Sequence, residues 1–513
     1  MLNDVLGPVM RGPSSSHTAG AFHIARLARS LLGGAPARAA VWFDPCGSYG
    51  ACYRQQGADR AFAAGLMGWT MADERFFDAL DFAARAGLTL EFGLRPLSEA
   101  NHPNAMDIEL WAADGRSLAL RANSVGGGAV ELVRLAGWPV RFTGDAHEVA
   151  VETARGREAA IAAVLGEDGA LLGGSEWQAR GDRALVTARR RVPLPEAAAG
   201  ALKGAVVWQA APVFFVRVGR PLFASAAEMV ALAAARGVSL GRLALDYEAG
   251  LLGLPREAVL AEVARRLEVM ESSVRRGLAG GGHTMQFLAP SAGAIFRAEA
   301  AGRLVGGGLQ ARAAARALAA MQVNSSMGVV CAAPTGGSAG TLPGVLVTLM
   351  AERELSRQGA CFAFLAAGAV GVVVANRATF AAEVAGCQVE IGAAGAMAAA
   401  AAIEAAGGTA AQAADAAAIA FQNSMGSVCD LVQGAVEIPC HTRNAAAAAS
   451  AFLCADLVLG GYRNPIPLDE TIDAVHAVGR MLPPELRCTA RGGLAATPAA
   501  RAMKPRNTNG APA

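Results

Sequence analysis

The stretch from Gly307 to about Gly460 most constrains the fold, because it is rich in alanine and glycine and carries few charges. Helices of that composition are too apolar to lie at a surface, so we expect them to pack against one another in a central bundle. Residues 359–376 carry no charged side chain, and this run approaches the length of a membrane-spanning helix. It is rich in small residues and has neither an aromatic belt nor companion spans. We therefore predict a buried bundle helix here.

The pattern of apolar and polar residues changes along the chain and predicts several domains. Residues 1–143 alternate strand-like and helix-like patterns, which indicates an α+β domain. The predicted strands are 39–43, 89–92, 107–112 and 117–122, and the predicted helices are 17–32 and 74–85. Residues 144–215 are expected to form a small α/β insert, with a helix over 156–165 and two strands separated by residues 180–182. An all-helical domain over 221–495 follows, and 496–513 is expected to be a flexible tail.

The start of the helical domain has a clear local signal. Ser225 and Glu228 form a capping box before an apolar run, and Gly237 is placed to end that helix.

Charge and cysteine usage limit the classes of partner. The chain has 45 Lys plus Arg against 43 Asp plus Glu, and no segment combines basic and aromatic residues as a nucleic-acid groove would. We expect small neutral or zwitterionic ligands, and neither a nucleic-acid nor a membrane partner. Nine scattered cysteines are unlike a secreted disulfide framework. The N-terminus lacks the pattern of a signal peptide, so a cytoplasmic location is expected.

A serine-rich motif lies near the N-terminus, in the sequence Gly12-Pro-Ser-Ser-Ser-His-Thr-Ala-Gly20. The motif precedes a predicted helix, whose first N–H groups attract anions, and the hydroxyl groups add further donors. It is therefore suited to bind a carboxylate. The alternative is a helix cap with more polar residues than capping needs.

Further polar clusters lie at 101–104, at 123–128 and in a glycine-rich loop over 334–341, with Asn324 before that loop. Each of the first two is also ordinary turn chemistry. The glycine-rich loop lacks the spacing of a dinucleotide-binding fingerprint, so a nucleotide site is not expected.

Three cysteines, Cys387, Cys429 and Cys440, arrive from separate segments without a Cys-x-x-Cys pair. Zinc ribbons draw their ligands in close pairs, whereas three distant thiolates can hold three corners of an iron–sulfur cubane and leave one iron open. An open iron would act as a Lewis acid. By spacing alone, three small apolar residues in helix cores are the better explanation of the pattern.

Together these motifs resemble the iron–sulfur-dependent L-serine dehydratases (L-serine ammonia-lyases). The resemblance rests on the serine-rich motif, His102-Pro-Asn-Ala-Met106, Ser124-Val-Gly-Gly-Gly128, Met327-Gly-Val-Val-Cys-Ala-Ala-Pro-Thr335, Glu383-Val-Ala-Gly-Cys-Gln388, Cys429-Asp430, Ile438-Pro-Cys440, Arg443-Asn444 and Arg491-Gly-Gly-Leu494. It implies a multidomain α+β protein with an N-terminal α+β domain, an ACT-like insert and a C-terminal all-helical domain that holds a four-iron, four-sulfur (4Fe-4S) cluster.

The resemblance also implies residue roles. The cluster ligands would be Cys387, Cys429 and Cys440. The catalytic residues would be Ser14, Ser15, Ser16, His17, Thr18 and His102, and the substrate-binding residues Asn104, Asn324, Pro334, Thr335 and Arg443. The implied reaction is elimination of water from L-serine or a close β-substituted amino acid, followed by hydrolysis to a 2-oxo acid and ammonia, in a homodimer or higher homo-oligomer.

Three positions depart from the family pattern. Gln56 stands where the family commonly has a histidine that is thought to transfer a proton, and an amide cannot be a general base. Either another residue, His17 or His102, takes that role, or the substrate differs. Gly395 stands where a further cysteine is often found, and no cysteine follows Cys488. These departures keep two alternatives open within the lyase class, a cysteine desulfidase and a 2-hydroxy acid dehydratase. A non-catalytic ligand-sensing or transport protein is the alternative from another class.

Overall fold

The computed structural model describes residues 1–280 and 284–506. The protein is a multidomain α+β structure in which about half of the residues are helical and three sheets are formed.

The N-terminal part has a six-stranded sheet with helices packed on it. Its elements are β1 (Val9–Arg11), α1 (Gly20–Leu32), β2 (Arg38–Phe43), α2 (Ser48–Cys52), α3 (Ala58–Met67), α4 (Ala79–Arg85), β3 (Thr89–Leu94), β4 (Ala105–Trp111), β5 (Ser117–Gly126), β6 (Ala129–Leu135) and β7 (Trp138–Phe142). The sheet order is β3-β2-β4-β5-β6-β7. Buried residues of α1 and α3, such as Ile24, Leu27 and Phe62, form the core against this sheet. The four predicted strands all lie in this six-stranded sheet, as β2, β3, β4 and β5.

Both predicted helices of the N-terminal part begin later as α-helices than the sequence predicted, at Gly20 instead of residue 17 and at Ala79 instead of residue 74. The turn Ser15–Ala19 is a π-helical turn that leads into α1, and the turn Glu74–Asp78 is a 3-10 turn that leads into α4. A 3-10 turn is common at the end of an α-helix, whereas a π-helical turn is rare.

Residues 147–210 form a separate four-stranded antiparallel sheet with two helices. The elements are β8 (His147–Ala154), α5 (Glu158–Gly166), β9 (Glu176–Arg180), β10 (Arg183–Arg190), α6 (Glu196–Ala201) and β11 (Val206–Ala210). The sheet order is β11-β8-β10-β9. This βαββαβ order is that of a ferredoxin-like unit. An ACT-type relationship and the domain limits stay predictions.

From residue 226 onward, the described residues form helices and one short strand. The elements are α7 (Ala226–Arg236), α8 (Leu240–Leu252), α9 (Arg256–Ala279), α10 (Ala292–Ala300), α11 (Gly308–Ser325), β12 (Val329–Cys331), α12 (Thr341–Glu352), α13 (Arg357–Arg377), α14 (Ala382–Ala385), α15 (Ile391–Ala405), α16 (Ala410–Ser424), α17 (Cys440–Leu459), α18 (Leu468–Met481) and α19 (Pro498–Ala502). The predicted boundaries of the first helix are confirmed, because the Ser225 hydroxyl accepts a hydrogen bond from the Glu228 N–H and Gly237 adopts the left-handed conformation after α7.

The alanine-rich helices form the central bundle that the sequence predicted. Helix α13 is long and apolar enough to cross a membrane by length and composition, and 78% of its most apolar window is buried inside the protein. It packs against α8 and α15. Burial on this scale is typical of a core helix.

A two-stranded sheet joins the N-terminal part to the helical part. Strand β1 pairs antiparallel with β12, with Val9 opposite Cys331 and Arg11 opposite Val329. The serine-rich motif follows β1 directly and the glycine-rich loop follows β12 directly. This pairing therefore brings together two segments of the predicted site.

After α18 the chain returns to the cysteine segments. The Cys429 N–H donates to the Leu486 carbonyl, and the Cys488 N–H donates to the Cys429 carbonyl. Farther along, the Gln433 side-chain amide donates to the carbonyls of Ala500 and Met503. Residues 507–513 of the predicted tail lie outside the described residues.

Candidate active site

The serine-rich motif forms a buried loop that is held by its own side chains. The Ser14 hydroxyl accepts a hydrogen bond from the His17 N–H at 3.2 Å, and the Ser14 N–H donates to the Thr18 hydroxyl oxygen at 3.4 Å. Ser15, Ser16, His17 and Thr18 are all buried. The loop opens α1, so its N–H groups lie at the start of a helix, as an anion site requires.

Neighbouring elements of the N-terminal part fix this loop. The Ser16 carbonyl accepts hydrogen bonds from the Tyr49 hydroxyl at 2.6 Å and from the Ser124 hydroxyl at 2.8 Å. The Thr18 hydroxyl donates to the Gln56 carbonyl at 2.7 Å. The segment over 123–128 therefore has a structural part in the site.

His17 lies fully buried at the centre of the loop. Its Nδ1 is 3.2 Å from the Ser14 hydroxyl and its Nε2 is 3.0 Å from the Ser48 hydroxyl. Burial lowers the pKa of His17 to about 3, so the imidazole is neutral near pH 7. Both ring nitrogens are thus engaged by hydroxyl groups.

The loop with His102 and Asn104 packs against the start of α2. The Ser48 N–H donates to the Pro103 carbonyl at 3.0 Å, and the Asn104 N–H donates to the His102 Nδ1 at 3.1 Å. The Asn104 amide nitrogen donates to the Ser124 carbonyl, while its buried Oδ1 has no hydrogen-bond partner within the described residues. An unpaired buried acceptor of this kind suits a ligand that donates a hydrogen bond.

Asn324 and the glycine-rich loop meet the serine-rich loop from the helical part. The Asn324 amide nitrogen donates to the carbonyls of Pro13 and Gly336, each at 2.9 Å. A Cβ atom on Gly336 would lie 2.7 Å from the Ser15 nitrogen. The Thr335 hydroxyl donates to the Glu390 carboxylate at 2.7 Å, and Pro334 precedes it in the same loop. The structure therefore brings the two loops into direct contact.

The three predicted ligand cysteines converge in one buried cluster. Cys387 lies in a 3-10 turn, Cys429 pairs with the returning chain at Arg487, and Cys440 begins α17. The thiols of Cys387 and Cys429 interact with each other, and Cys488 interacts with Cys429. All four are at most 7% exposed. The fourth cysteine, Cys488, was not among the predicted ligands.

Arg443 ties this cluster to the surrounding backbone. Its guanidinium donates to the Val428 carbonyl at 2.7 Å, pairs with Asp430 at 3.0 Å and interacts with the Cys387 thiol. Asp430 in turn accepts from the Leu494 N–H at 2.9 Å. A fixed cation beside the thiols favours their deprotonated forms.

The thiols fit an iron–sulfur cluster by donor type and by convergence. Among residues 1–280 and 284–506, no group of three or more His, Cys, Asp or Glu side chains is arranged to hold a single metal ion. A cubane is larger than one ion, and it binds soft thiolates at separate corners. Burial raises the pKa of Cys440 well above its usual range, and iron binding would deprotonate such a thiol.

Sequence reasoning missed two carboxylates at this site, the buried Glu383 and the partly buried Glu390. Glu383 and Glu390 lie on either side of Cys387, and burial raises the pKa of both, that of Glu390 to about 7. The available signal was that Glu383 is the only charged residue between Arg377 and Glu390.

Gln56 points toward the cysteine segments. Its side-chain amide nitrogen donates to the Gly434 carbonyl at 3.1 Å and contacts the Cys52 sulfur at 3.3 Å. Its buried Oε1 has no partner within the described residues. The side chain thus faces the site without offering a base.

Several segments that carry the resemblance to the dehydratases thus lie close together in the fold. The chain belongs to the L-serine dehydratase family, because the family model "Serine dehydratase alpha chain" matches residues 150–495, more than half of its length.

The chain is similar to relatives of two kinds. The probable L-serine dehydratase alpha chain of Bacillus subtilis (strain 168) is 37% identical over 290 residues, which is 56% of this chain and 97% of the relative. The L-serine dehydratase alpha chain of Peptoniphilus asaccharolyticus is 35% identical over 272 residues, 53% of this chain and 93% of the relative. The probable beta chain of Bacillus subtilis (strain 168) is 41% identical over 142 residues, 28% of this chain and 63% of that relative. One polypeptide here thus resembles both kinds of chain.

Proposed function

We propose that the chain is an L-serine ammonia-lyase that eliminates water from L-serine and releases pyruvate and ammonia. One observation carries the proposal: the serine-rich loop of the N-terminal part approaches the cysteine segments of the helical part. His17 Nε2 is 3.0 Å from the Ser48 hydroxyl, which donates to the Cys488 carbonyl at 3.4 Å. His17 Nδ1 is 3.7 Å from Glu383, which precedes Cys387 by four residues. The family membership supports the same reaction, since the relatives are named L-serine dehydratases.

We further propose that Cys387, Cys429 and Cys440 hold a four-iron, four-sulfur cluster. When bound, such a cluster supplies a Lewis acid that helps the β-hydroxyl group leave. Arg443 keeps the Cys387 side chain in an electropositive setting through its hydrogen bond.

The protein groups supply the remaining parts of the reaction. The serine-rich loop binds the substrate carboxylate with N–H and hydroxyl donors, as the start of α1 provides. The Asn104 Oδ1, which lacks a protein partner, accepts a hydrogen bond from the substrate ammonium group. Neutral His17 orients the loop through Ser14 and Ser48.

The test is an anaerobic assay of the iron-reconstituted protein against β-hydroxy amino acids, β-thiol amino acids and 2-hydroxy acids. We expect pyruvate and ammonia from L-serine, brown protein, and loss of both colour and activity in Cys429→Ser. Cys454→Ser is the matched control, because Cys454 is a buried thiol within α17 that contacts Ser450 instead of the cluster.

Other products would support one of the alternative functions instead of the proposed one. Sulfide from L-cysteine, without pyruvate from L-serine, would identify a desulfidase, and turnover of 2-hydroxy acids alone would identify a 2-hydroxy acid dehydratase. Iron-free, colourless protein that forms none of these products would refute the lyase function and favour a ligand-sensing role.

A further inference from the structure

An elimination reaction needs a group that removes the α-proton, and this chain lacks the expected one. The Gln56 amide has no basic lone pair at neutral pH. Both ring nitrogens of His17 are within hydrogen-bond distance of hydroxyl groups, at 3.2 Å and 3.0 Å. The Nδ1 of His102 likewise accepts the Asn104 N–H at 3.1 Å. Other groups at the meeting point of the two loops are therefore candidates for the base.

Glu383 has the required position. It lies in α14, which ends just before Cys387, and only 4% of its side chain is exposed. Its Oε1 is 3.7 Å from the His17 Nδ1, which places the carboxylate at the serine-rich loop. Within the described residues, its Oε2 accepts no hydrogen bond. A buried carboxylate oxygen without a donor is costly unless a ligand or a proton occupies it.

Groups from both halves of the molecule surround this carboxylate. The polar side chains of Ser16 and Asn104 interact with it and partly oppose the effect of burial on its pKa. The titratable groups that interact with it electrostatically are His17, Tyr49, Cys52, Glu390 and Cys488. Glu383 is thus adjacent both to the loop that binds the substrate carboxylate and to the cysteine cluster.

Glu390 is the other carboxylate at this site; it is partly buried, and its contacts differ from those of Glu383. Its Oε1 already accepts the Thr335 hydroxyl at 2.7 Å, and a Cβ atom on Gly337 would lie 2.7 Å from the same oxygen. This carboxylate is therefore fixed against the glycine-rich loop. Glu383, with an oxygen that has no donor, is better placed to accept a proton.

We propose that Glu383 is the general base of this enzyme and takes the place of the family histidine at Gln56. The inference rests on the proposed function. The Glu383 carboxylate removes the α-proton, the C–H electron pair becomes the C=C bond of 2-aminoacrylate, and the C–O bond breaks as hydroxide leaves and is protonated to water. The aminoacrylate then takes up water and gives pyruvate and ammonia. No oxidant or reductant is consumed.

The test compares three variants of the iron-reconstituted protein. Glu383→Gln removes the base and keeps the shape, and Glu383→Asp keeps a carboxylate in a displaced position. Glu148→Gln is the matched control, because Glu148 is also a buried carboxylate with an unpartnered oxygen but lies in β8 of the insert. Iron content, visible absorbance and kinetics with L-serine and [2-²H]-L-serine are measured for each.

We expect Glu383→Gln to lower kcat about 10²- to 10⁴-fold, the usual effect of losing a general base. KM and iron content should change less than about threefold, because substrate binding and the cluster do not depend on the base. The deuterium effect on kcat/KM should rise, since proton removal becomes rate-limiting. Glu383→Asp should recover part of kcat, and Glu148→Gln should match the wild type.

The two proposals fail in different ways. Wild-type protein that forms no ammonia from any tested amino acid would remove the proposed function. Active wild-type protein together with a Glu383→Gln variant that keeps kcat within about threefold and an unchanged deuterium effect would overturn the role of Glu383. Loss of iron from Glu383→Gln alone, with the same specific activity per iron, would also overturn it and assign Glu383 to cluster retention.

Discussion

Asn444, near the beginning of α17, makes five hydrogen bonds, and four of them reach the glycine-rich loop. Its Oδ1 accepts from the N–H groups of Gly340 and Thr341 and from the Thr341 hydroxyl, at 3.0 to 3.2 Å. Its amide nitrogen donates to the carbonyls of Gly337 and Cys440, at 2.8 and 2.9 Å. The side chain is fully buried. We therefore expect Asn444→Ala to loosen the loop that contacts the serine-rich motif.

The magnitude follows from these bonds. A net hydrogen bond contributes about 0.5–1.5 kcal/mol, and a buried group left unsatisfied costs about 1–3 kcal/mol. Partial relaxation and entry of water offset part of this sum, so we expect local stability to fall by about 3–4 kcal/mol. At about 1.4 kcal/mol for each factor of ten, the amide hydrogens of the loop should exchange roughly 10²- to 10³-fold faster.

The assay is hydrogen exchange of the iron-reconstituted protein under anaerobic conditions, read on peptides that cover the glycine-rich loop. Thr341→Val is the graded control, because it removes one of the five bonds and preserves the side-chain shape. It should raise exchange by about tenfold or less. Equal exchange in Asn444→Ala and wild type would show that the loop is held by other contacts, and the reasoning would be wrong.

Two further predictions concern the serine-rich loop and the response to acid. Gly12→Ala should lower kcat/KM for L-serine at least about tenfold, because its Cβ would lie 2.0 Å from the Asn324 carbonyl oxygen and would push the loops apart. Gly395→Ala should be tolerated, since its Cβ would meet only Ala447 at 3.6 Å, and equal kinetics of both variants would contradict the steric argument. Burial lowers the pKa of His23 from 6.5 to about 4. The unfolded chain therefore binds more protons between these pH values, and stability should fall by roughly 3 kcal/mol as pH drops through this window. His23→Gln should flatten the pH dependence of the urea midpoint, and an unchanged slope would exclude His23 as its source.

Local signals in the sequence predicted the elements well. The cap at Ser225 and the glycine at 237 define α7, because capping and helix termination depend on neighbouring residues. The charge-free run over 359–376 predicted a buried helix, because a side chain's hydropathy reports its burial directly. The family motifs predicted which segments meet, and the structure brings the serine-rich loop against Asn324.

Features that depend on distant partners were not predictable from the sequence. Strand β1 is only three residues long, and its partner lies in the helical half. Strand β11 completes the insert sheet by pairing with β8. Its five residues contain no local signal that identifies this partner. Glu383 became a candidate base only when the structure placed its carboxylate near His17 without a hydrogen-bond partner for Oε2. Pairing and burial of this kind follow from tertiary structure.

The pairing of β1 with β12 also has a consequence for biosynthesis. Val9 and Cys331 lie more than three hundred residues apart in the chain, so the ribosome must release most of the polypeptide before these strands can meet. Closing a loop of that length carries an entropic cost that is recovered only when the long-range contacts form. The serine-rich loop cannot form its hydrogen bond with Asn324 until that residue has been synthesised. Assembly of the candidate active site is therefore a late event in the maturation of this chain.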